Sequence, residues 1–241
     1  MARARYPTGA RPLLIEETAR RRRIESRFVA TLERAGFAEV VLPIIDFAEP
    51  YADVTGRDAV KQSYRFTDRD GELVSVRSDF TPMVARALAP SLADADLPLR
   101  VFYRGDVVRC GASRLGSNRE LFQIGAEIVG DASVEADLAM LRLAASLIPD
   151  SLVVYTNARA TIDDPRFILH DDDPEPGYYT GIRFWIYGTD RRRPVAQGGR
   201  YDALYARFGA SAPAIGFTFT IDDLQSPLPA SRGEGQGEGQ S

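Results

Sequence analysis

The sequence predicts an α+β fold with a mainly antiparallel sheet flanked by helices. Three observations predict it. Strand-like runs come in hairpin pairs, helical stripes are gathered between those runs, and no regular strand–helix–strand alternation is present. The chain has 241 residues, 44 % hydrophobic and 27 % charged, an ordinary globular composition that excludes a disordered or fibrous protein. A chain of this length can bury a substantial core without disulfides or metals. Its formal charge of −4 gives no global attraction to nucleic acid or an anionic membrane. No run approaches the ~20 apolar residues of a membrane span, and the opening MARARYPTGARP has no apolar signal-peptide core. A cytoplasmic protein with neither nucleic-acid nor membrane partner is expected.

Residues 14–35 read as a helix, because Ile24, Phe28, Leu32 and Ala35 form one stripe and Gly36 supplies the stop. The run Arg20–Arg23 reads as its solvated face. Residues 37–43 read as a short strand closed by Pro43. Strands around 64–66 and 73–76 flank the turn signal Asp68-Arg69-Asp70-Gly71, and a helix starts near Thr81-Pro82. Strands follow at 99–108 and 120–129. Ser133 caps the next helix, whose stripe is Val134, Leu138, Leu141 and Ala145, ending before Pro149. A strand over 152–155 leads into a polar, acidic connection over 156–177. Residues 178–187 and 193–197 make a hairpin over Gly188-Thr189-Asp190, and a short helix at 201–208 and a strand at 213–220 complete the pattern. Residues 226–241 repeat Gly-Glu-Gly-Gln around polar residues and read as a disordered tail.

The rare residues exclude whole chemistries. Cys110 is the only cysteine and His170 the only histidine, so disulfides, CxxC sites and paired-histidine metal sites fall away. Lys61 is the only lysine among 30 basic residues and follows no glycine-rich loop, so no Walker A site is present. A Cys110–His170 nucleophile pair is set against a solvated histidine in the acidic run Leu169–Pro176, and the solvated reading is preferred. No catalytic residue, metal or cofactor is assigned. Arginines, carboxylates and tyrosines remain.

The most informative segment is Glu120–Val129. Strand alternation puts Phe122, Ile124, Ala126 and Ile128 on one face, suited to a core, and Gln123, Gly125 and Glu127 on the other. Two hydrogen-bonding groups flanking a glycine leave room for a small ligand against the backbone, and a solvated strand face is the competing reading. Asp79 and Thr81, in Arg77-Ser78-Asp79-Phe80-Thr81-Pro82, can join that site or cap the following helix. Arg109 ends a strand at the mouth of the 109–119 loop. One guanidinium with several carboxylates suits a zwitterion: the guanidinium takes an α-carboxylate, and Asp or Glu takes an α-ammonium. Tyr178-Tyr179 and Gly198-Gly199-Arg200-Tyr201-Asp202 add aromatic walls and close backbone approach. The residues alone point to a small amino-acid-like ligand.

Together, from about Tyr6 to Leu224, these segments resemble the catalytic core of histidyl-tRNA synthetases and of their non-synthetase relatives, the regulatory subunits of ATP phosphoribosyltransferase. Gly36-Phe37-Ala38-Glu39-Val40-Val41-Leu42-Pro43 is similar to the first class II motif, which implies a homodimer through 36–43. Val107-Val108-Arg109, with Gln123 fourteen residues after the arginine and then Glu127, is similar to the second motif. Tyr178-Tyr179-Thr180-Gly181 resembles the family's paired tyrosines at the histidine pocket. The segments 198–202 and Pro213–Phe217 resemble the approach to the third motif. The implied fold is a class II aminoacyl-tRNA synthetase-like core, one non-catalytic domain over 1–225 followed by the tail at 226–241.

Departures from the synthetase pattern separate the two relatives. Asp223 stands where synthetases place an arginine that grips ATP, and a carboxylate there repels a triphosphate. Gly111 replaces the second-motif glutamate, and Pro174 replaces the catalytic arginine before the paired tyrosines. Asp79-Phe80-Thr81-Pro82 resembles the regulatory subunits' Asp-x-Thr-Pro, where synthetases carry Glu-Gly-Thr. The 22-residue connection 156–177 leaves little room for the synthetase insertion domain, and no anticodon-binding domain is expected after Leu224.

The resemblance therefore implies a regulatory subunit of a short-form ATP phosphoribosyltransferase, required for the first step of histidine biosynthesis and for feedback by histidine. It implies a hetero-oligomer, hetero-octameric, with the catalytic subunit. Carried over residue by residue, Asp79, Thr81, Gln123 and Glu127 receive the α-ammonium of histidine, Arg109 faces its carboxylate, and Tyr178 and Tyr179 enclose or hydrogen-bond the imidazole. The alternatives are a truncated histidyl-tRNA synthetase-like enzyme that activates an amino acid, and a stand-alone amino-acid-binding module.

Overall fold

A computed structural model describes residues 5–52, 54, 63–94, 96–110, 118–158, 162–170, 178–188 and 194–224. The expected tail 226–241, Lys61, Gly111 and Pro174 lie outside these residues. In chain order the elements are α1 (Ile15–Arg34), β1 (Ala38–Glu39), β2 (Ile45–Phe47), β3 (Arg65–Thr67), β4 (Leu73–Val76), α2 (Thr81–Leu88), β5 (Leu99–Val108), β6 (Glu120–Val129), α3 (Val134–Ser146), β7 (Val153–Thr156), β8 (Phe167–Leu169), β9 (Arg183–Tyr187), β10 (Pro194–Arg200), β11 (Ala214–Thr220) and α4 (Ile221–Leu224). Among the described residues they form one eight-stranded sheet, ordered β1-β5-β6-β11-β10-β9-β7-β8, and one three-stranded sheet, ordered β2-β4-β3. Every pairing is antiparallel except the two outermost of the large sheet, β1 with β5 and β7 with β8. The α+β expectation holds.

The two faces of the large sheet differ in chemistry. One packs Phe102, Phe122, Ile124, Ala126, Ile128, Phe217 and Phe219 against Phe28 and Leu32 of α1 and Met140, Leu141 and Ala144 of α3. Phe28 meets Phe219 edge-on at 5.0 Å, so the core interlocks aromatic rings as well as aliphatic chains. The other face is roofed by α2 and by a 3₁₀ turn at Tyr205–Phe208, through Phe80, Met83, Val84, Tyr103, Leu204 and Tyr205. Functional side chains lie beneath that roof.

Helix termini follow the local chemistry. Ser133 accepts from Ala136 N at 3.2 Å and caps α3 as expected. Gly36 takes φ +83°, the left-handed conformation that ends α1 without a Cβ penalty. The predicted stripe of α3 is rotated: Val134 is 58 % exposed, while Ala136, Met140, Leu141, Ala144 and Ala145 are buried, a broader face centred beside the expected one. Arg20, Arg22 and Arg23 are solvated as expected, but Arg21 is not. It stacks 4.5 Å over Phe122 and bonds both oxygens of Asp222 at 3.2 Å, and Asp222 also accepts from Phe122 N at 2.9 Å. One carboxylate on α4 thus ties α1 to the central strand β6.

Some strands differ from expectation for reasons of pairing. The 37–43 strand forms its ladder only at Ala38–Glu39, where it reaches the edge of β5. β2 and β8, three residues each, fall where no alternation is readable, and they exist because a neighbouring strand offers unpaired backbone groups. The region 201–208 is a single 3₁₀ turn rather than a longer helix. The 178–187 and 193–197 hairpin is present as β9 and β10, and its turn residues 189–193 lie outside the described residues.

Arg77 joins the two sheets. Its guanidinium donates to Asp106 O at 2.6 Å and Leu42 O at 2.9 Å, and stacks 4.5 Å over Phe80. It can lie there because Gly105 has no side chain: a Cβ would run into the guanidinium, and Gly105 itself adopts φ +151°. Gly105→Ala is therefore expected to lower stability by about 2–4 kcal/mol, from backbone strain and displaced charged hydrogen bonds. Urea unfolding checks it. In an Arg77→Ala background the same substitution should cost markedly less, because the guanidinium it displaces is gone.

Candidate functional site

β6 alternates as its sequence requires. Phe122, Ile124, Ala126 and Ile128 enter the core, and Gln123 and Glu127 point to the opposite face. That face is not solvated there: Gln123 is 4 % exposed and Glu127 1 %. What covers them comes from three other segments. Thr81 at the start of α2 donates to Glu127 Oε1 at 3.1 Å, and Tyr103 of β5 donates to the same oxygen at 3.2 Å. The Tyr103 hydroxyl also bonds Thr218 Oγ1 of β11 at 2.6 Å.

Glycines make this polar layer fit. Gly125 stands in register between Tyr103 and Thr218, and a Cβ there would overlap the Tyr103 hydroxyl. The space expected above Gly125 for a ligand is therefore filled by the phenol of Tyr103. Gly216, opposite Glu127, leaves the seat for the Glu127 carboxylate and the Tyr201 hydroxyl, and Gly199, opposite Gly216, lies under the ring of Tyr179. Glycine clears three neighbouring strands for side chains that lie flat across the sheet.

The layer is short of partners. Glu127 Oε2, Gln123 Oε1 and the hydroxyls of Tyr201 and Tyr205 are buried and make no hydrogen bond within the described chain. Leaving such groups unpaired costs roughly 1–3 kcal/mol each, more for a charge. Burial pushes the Glu127 carboxyl well above the usual carboxylate range; the Thr81 and Tyr103 hydroxyls oppose this and the nearby Asp79 adds to it. Burial raises Asp79 too, against the pull of Arg109.

The remaining expected residues gather around this centre. Asp79 Oδ1 takes Thr81 N at 3.4 Å, so its capping and site roles coincide. Arg109 Nε donates to Ser78 O at 3.0 Å, which holds its guanidinium beside Asp79. The rings of Tyr178 and Tyr179 lie 4.8 Å apart, and both meet Tyr201 edge-on. Burial raises both hydroxyls, with Asp79 and Glu127 among the charges that act on each. Asp79, Thr81, Glu127, Arg109, Tyr178 and Tyr179 thus share one site. Gln123 shares the strand face but hydrogen-bonds none of them.

Sequence reasoning missed Tyr103, Tyr205, Thr218 and Arg183. The pairing of Tyr103 with Gly125 is a cross-strand fact that no single segment displays. Arg183 carries its guanidinium between the rings of Tyr179 and Trp185, at 4.5 and 4.7 Å. The weighed Cys110–His170 pair does not form. Cys110 follows β5 and donates to Ser63 O at 3.6 Å, while His170 follows β8 at the far edge of the sheet, edge-on to Tyr155 and Trp185. Among the described residues no group of His, Cys, Asp and Glu could hold a metal, and no helix is long and apolar enough to cross a membrane.

A carboxyl raised by burial binds more protons folded than unfolded, so its stabilisation is complete in acid and is lost as pH climbs through the folded-state value. The ligand-free chain should therefore lose stability with rising pH through Glu127 and Asp79 together. Glu127→Gln should reduce that slope, measured as the urea midpoint from about pH 5 to about pH 8. An identical slope in the variant counts against the assignment.

Comparison with known proteins points to one family at three levels, with relatives named both ATP phosphoribosyltransferase regulatory subunit and histidine–tRNA ligase. A sequence model of the histidyl-tRNA synthetase family matches residues 9–160 and 174–224. A protein named ATP phosphoribosyltransferase regulatory subunit from Carboxydothermus hydrogenoformans is 33 % identical, over 93 % of this chain and 97 % of its own. One of the same name from Geobacter metallireducens is 34 % identical over 60 % of this chain, a match that spans about a third (34 %) of that protein. A crystal structure titled as an ATP phosphoribosyltransferase regulatory subunit/histidyl-tRNA synthetase from Bacillus halodurans superposes with a TM-score of 0.76, at 21 % identity, over 91 % of this chain and 82 % of that one. The class II synthetase-like fold is thereby shown, and the chain belongs to the histidyl-tRNA synthetase family, among members that carry the name ATP phosphoribosyltransferase regulatory subunit.

Proposed function

We propose that this chain is the non-catalytic regulatory subunit of an ATP phosphoribosyltransferase and that it binds histidine at the Glu127 site. One observation carries the reading: the buried Glu127 carboxyl with unpartnered hydrogen-bonding atoms around it, and the half-buried Asp79 with the guanidinium of Arg109 beside it. That is the complement of a zwitterion. The α-ammonium lies against Asp79, Thr81 and Glu127 with Gln123 beside it, the α-carboxylate faces Arg109, and the ring lies by Tyr178 and Tyr179. Histidine acts as a feedback effector by binding one state of the complex with the catalytic subunit more tightly than the other, since equal affinity shifts nothing.

The absence of catalysis rests on Asp223, a carboxylate in α4 where a synthetase places its ATP-gripping arginine. A homodimer through 36–43 is supported by the apolar surface there: Val41 is 89 % exposed, and Ile44, Ile45, Phe47 and Phe66 follow on the adjoining small sheet. We further infer a single domain over 1–225, a hetero-oligomer with the catalytic subunit and a place in the cytoplasm.

The decisive experiment titrates histidine into the chain alone and with the catalytic subunit, followed by calorimetry and by fluorescence. Trp185 is the only tryptophan, and it stacks on Arg183, which stacks on Tyr179, so ligand beside Tyr179 should change its emission. Thr81→Val should weaken binding about tenfold by removing one hydrogen bond to the carboxylate. Histidine should inhibit phosphoribosyl transfer only when the chain is present. Absence of histidine binding, with and without the catalytic subunit, overturns the reading. Histidine-dependent ATP–pyrophosphate exchange by the chain alone would favour the amino-acid-activating alternative.

A further inference from the structure

We propose that Arg183 is a positioning residue of the amino-acid site: its guanidinium holds the ring of Tyr179, and through that ring it sets how tightly the ligand's side chain is gripped. This rests on the histidine-binding reading above and adds to it a residue that acts through another. Cross-strand register puts Arg183 on the face of the site. It stands level with Gly199 of β10, Gly199 with Gly216 of β11, and Gly216 with Glu127 of β6. Arg183 and Glu127 therefore point to the same side of the sheet, across two positions that carry no side chain.

The side chain of Arg183 leaves from a fixed backbone. Arg183 N donates to Asn157 Oδ1 at 2.7 Å, and Arg183 O accepts from Thr156 Oγ1 at 2.9 Å and from Asn157 N at 3.2 Å. The next residue, Phe184, enters the apolar core and pins the strand from the reverse face. Arg183 itself is 9 % exposed, and its guanidinium lies over the rings of Tyr179 and Trp185 at 4.5 and 4.7 Å. A guanidinium removed from water meets a ring face more strongly than one on the surface.

Tyr179 needs such a hold. It precedes β9, so strand register does not place its ring; the ring's neighbours do. Gly199 gives it a floor, since a Cβ there would run into the ring, while Tyr178 lies 4.8 Å away and Tyr201 meets it edge-on at 6.3 Å. Tyr178 and Tyr201 themselves stand outside the strands, before β9 and after β10, whereas Arg183 ties the ring to a paired strand. Loss of the cation frees the ring to turn away from the ligand's side chain. One aromatic contact of that kind is worth up to about tenfold in affinity.

The test is calorimetric titration of L-histidine into the full chain, for the wild type, Arg183→Met and Arg183→Lys, with urea midpoints taken alongside. Methionine keeps the apolar stem without the cation, and lysine keeps the cation. Arg183→Met should bind histidine about tenfold more weakly, and Arg183→Lys should recover most of that loss. A merely structural role would weaken both variants alike. Trp185→Leu frees one side of the guanidinium and leaves Arg183 and Tyr179 in the chain; it should weaken binding about threefold, and it carries the test if Arg183→Met does not fold. Wild-type affinity in Arg183→Met or in Trp185→Leu overturns the proposal and leaves the histidine reading standing. Equal losses in Arg183→Met and Arg183→Lys do the same. A wild-type chain that binds no histidine overturns that reading, and this proposal with it.

Discussion

A carboxylate held in the middle of a wide β-sheet is the constraint around which this structure is arranged. Desolvating Glu127 is costly, and the fold offsets the cost locally. Thr81 and Tyr103 bring hydroxyls from two separate elements to one oxygen, and Gly216 clears the space the carboxylate occupies. Each of those devices has a price-free counterpart on the reverse of the same strand, where Ile124, Ala126 and Ile128 enter an apolar core. The strand is thus anchored by one face so that the other can carry polar groups short of partners. A less deeply anchored strand would relieve its unpaired groups by twisting toward water.

The site is assembled from segments far apart in the chain. Asp79 and Thr81 lie at the start of α2, Tyr103 on β5, Glu127 on β6, the paired tyrosines before β9, and Thr218 on β11. The central pairings of β5 with β6 and of β6 with β11 set the register that brings Tyr103, Gly125 and Thr218 level. Slipping either pairing by one residue would turn Glu127 toward the phenylalanine core. Register and site are therefore a single requirement. The Arg21–Asp222 contact, which also receives the backbone of Phe122, holds the far end of β6 in place.

Much of this was legible in the sequence where the signal was local. The alternation of 120–129 placed both the core residues and the polar pair correctly, and Gly36 and Ser133 marked helix ends that the structure reproduces. Asp79 and Thr81 were readable because they sit at a helix start, and the paired tyrosines because Tyr178-Tyr179-Thr180-Gly181 resembles a family motif. What escaped reading depends on partners across strands. The role of Gly125 was misread, since only the register with β5 shows that Tyr103 fills the space above it. Likewise β2 and β8 are too short to display a period of their own. Arg21 looked like one member of a solvated run until Asp222, 201 residues later, supplied its partner.

The outer border of β5 carries one further consequence. β1 pairs with only two of its residues, and an uncovered strand border is the feature by which sheets of separate molecules zip together. Arg77 occupies that vacancy: its guanidinium takes the Asp106 carbonyl and its own carbonyl takes Val108 N, so a side chain stands where an intruding strand would dock. The same residue that ties the small sheet to the large one thereby acts as a guard against amyloid-like stacking.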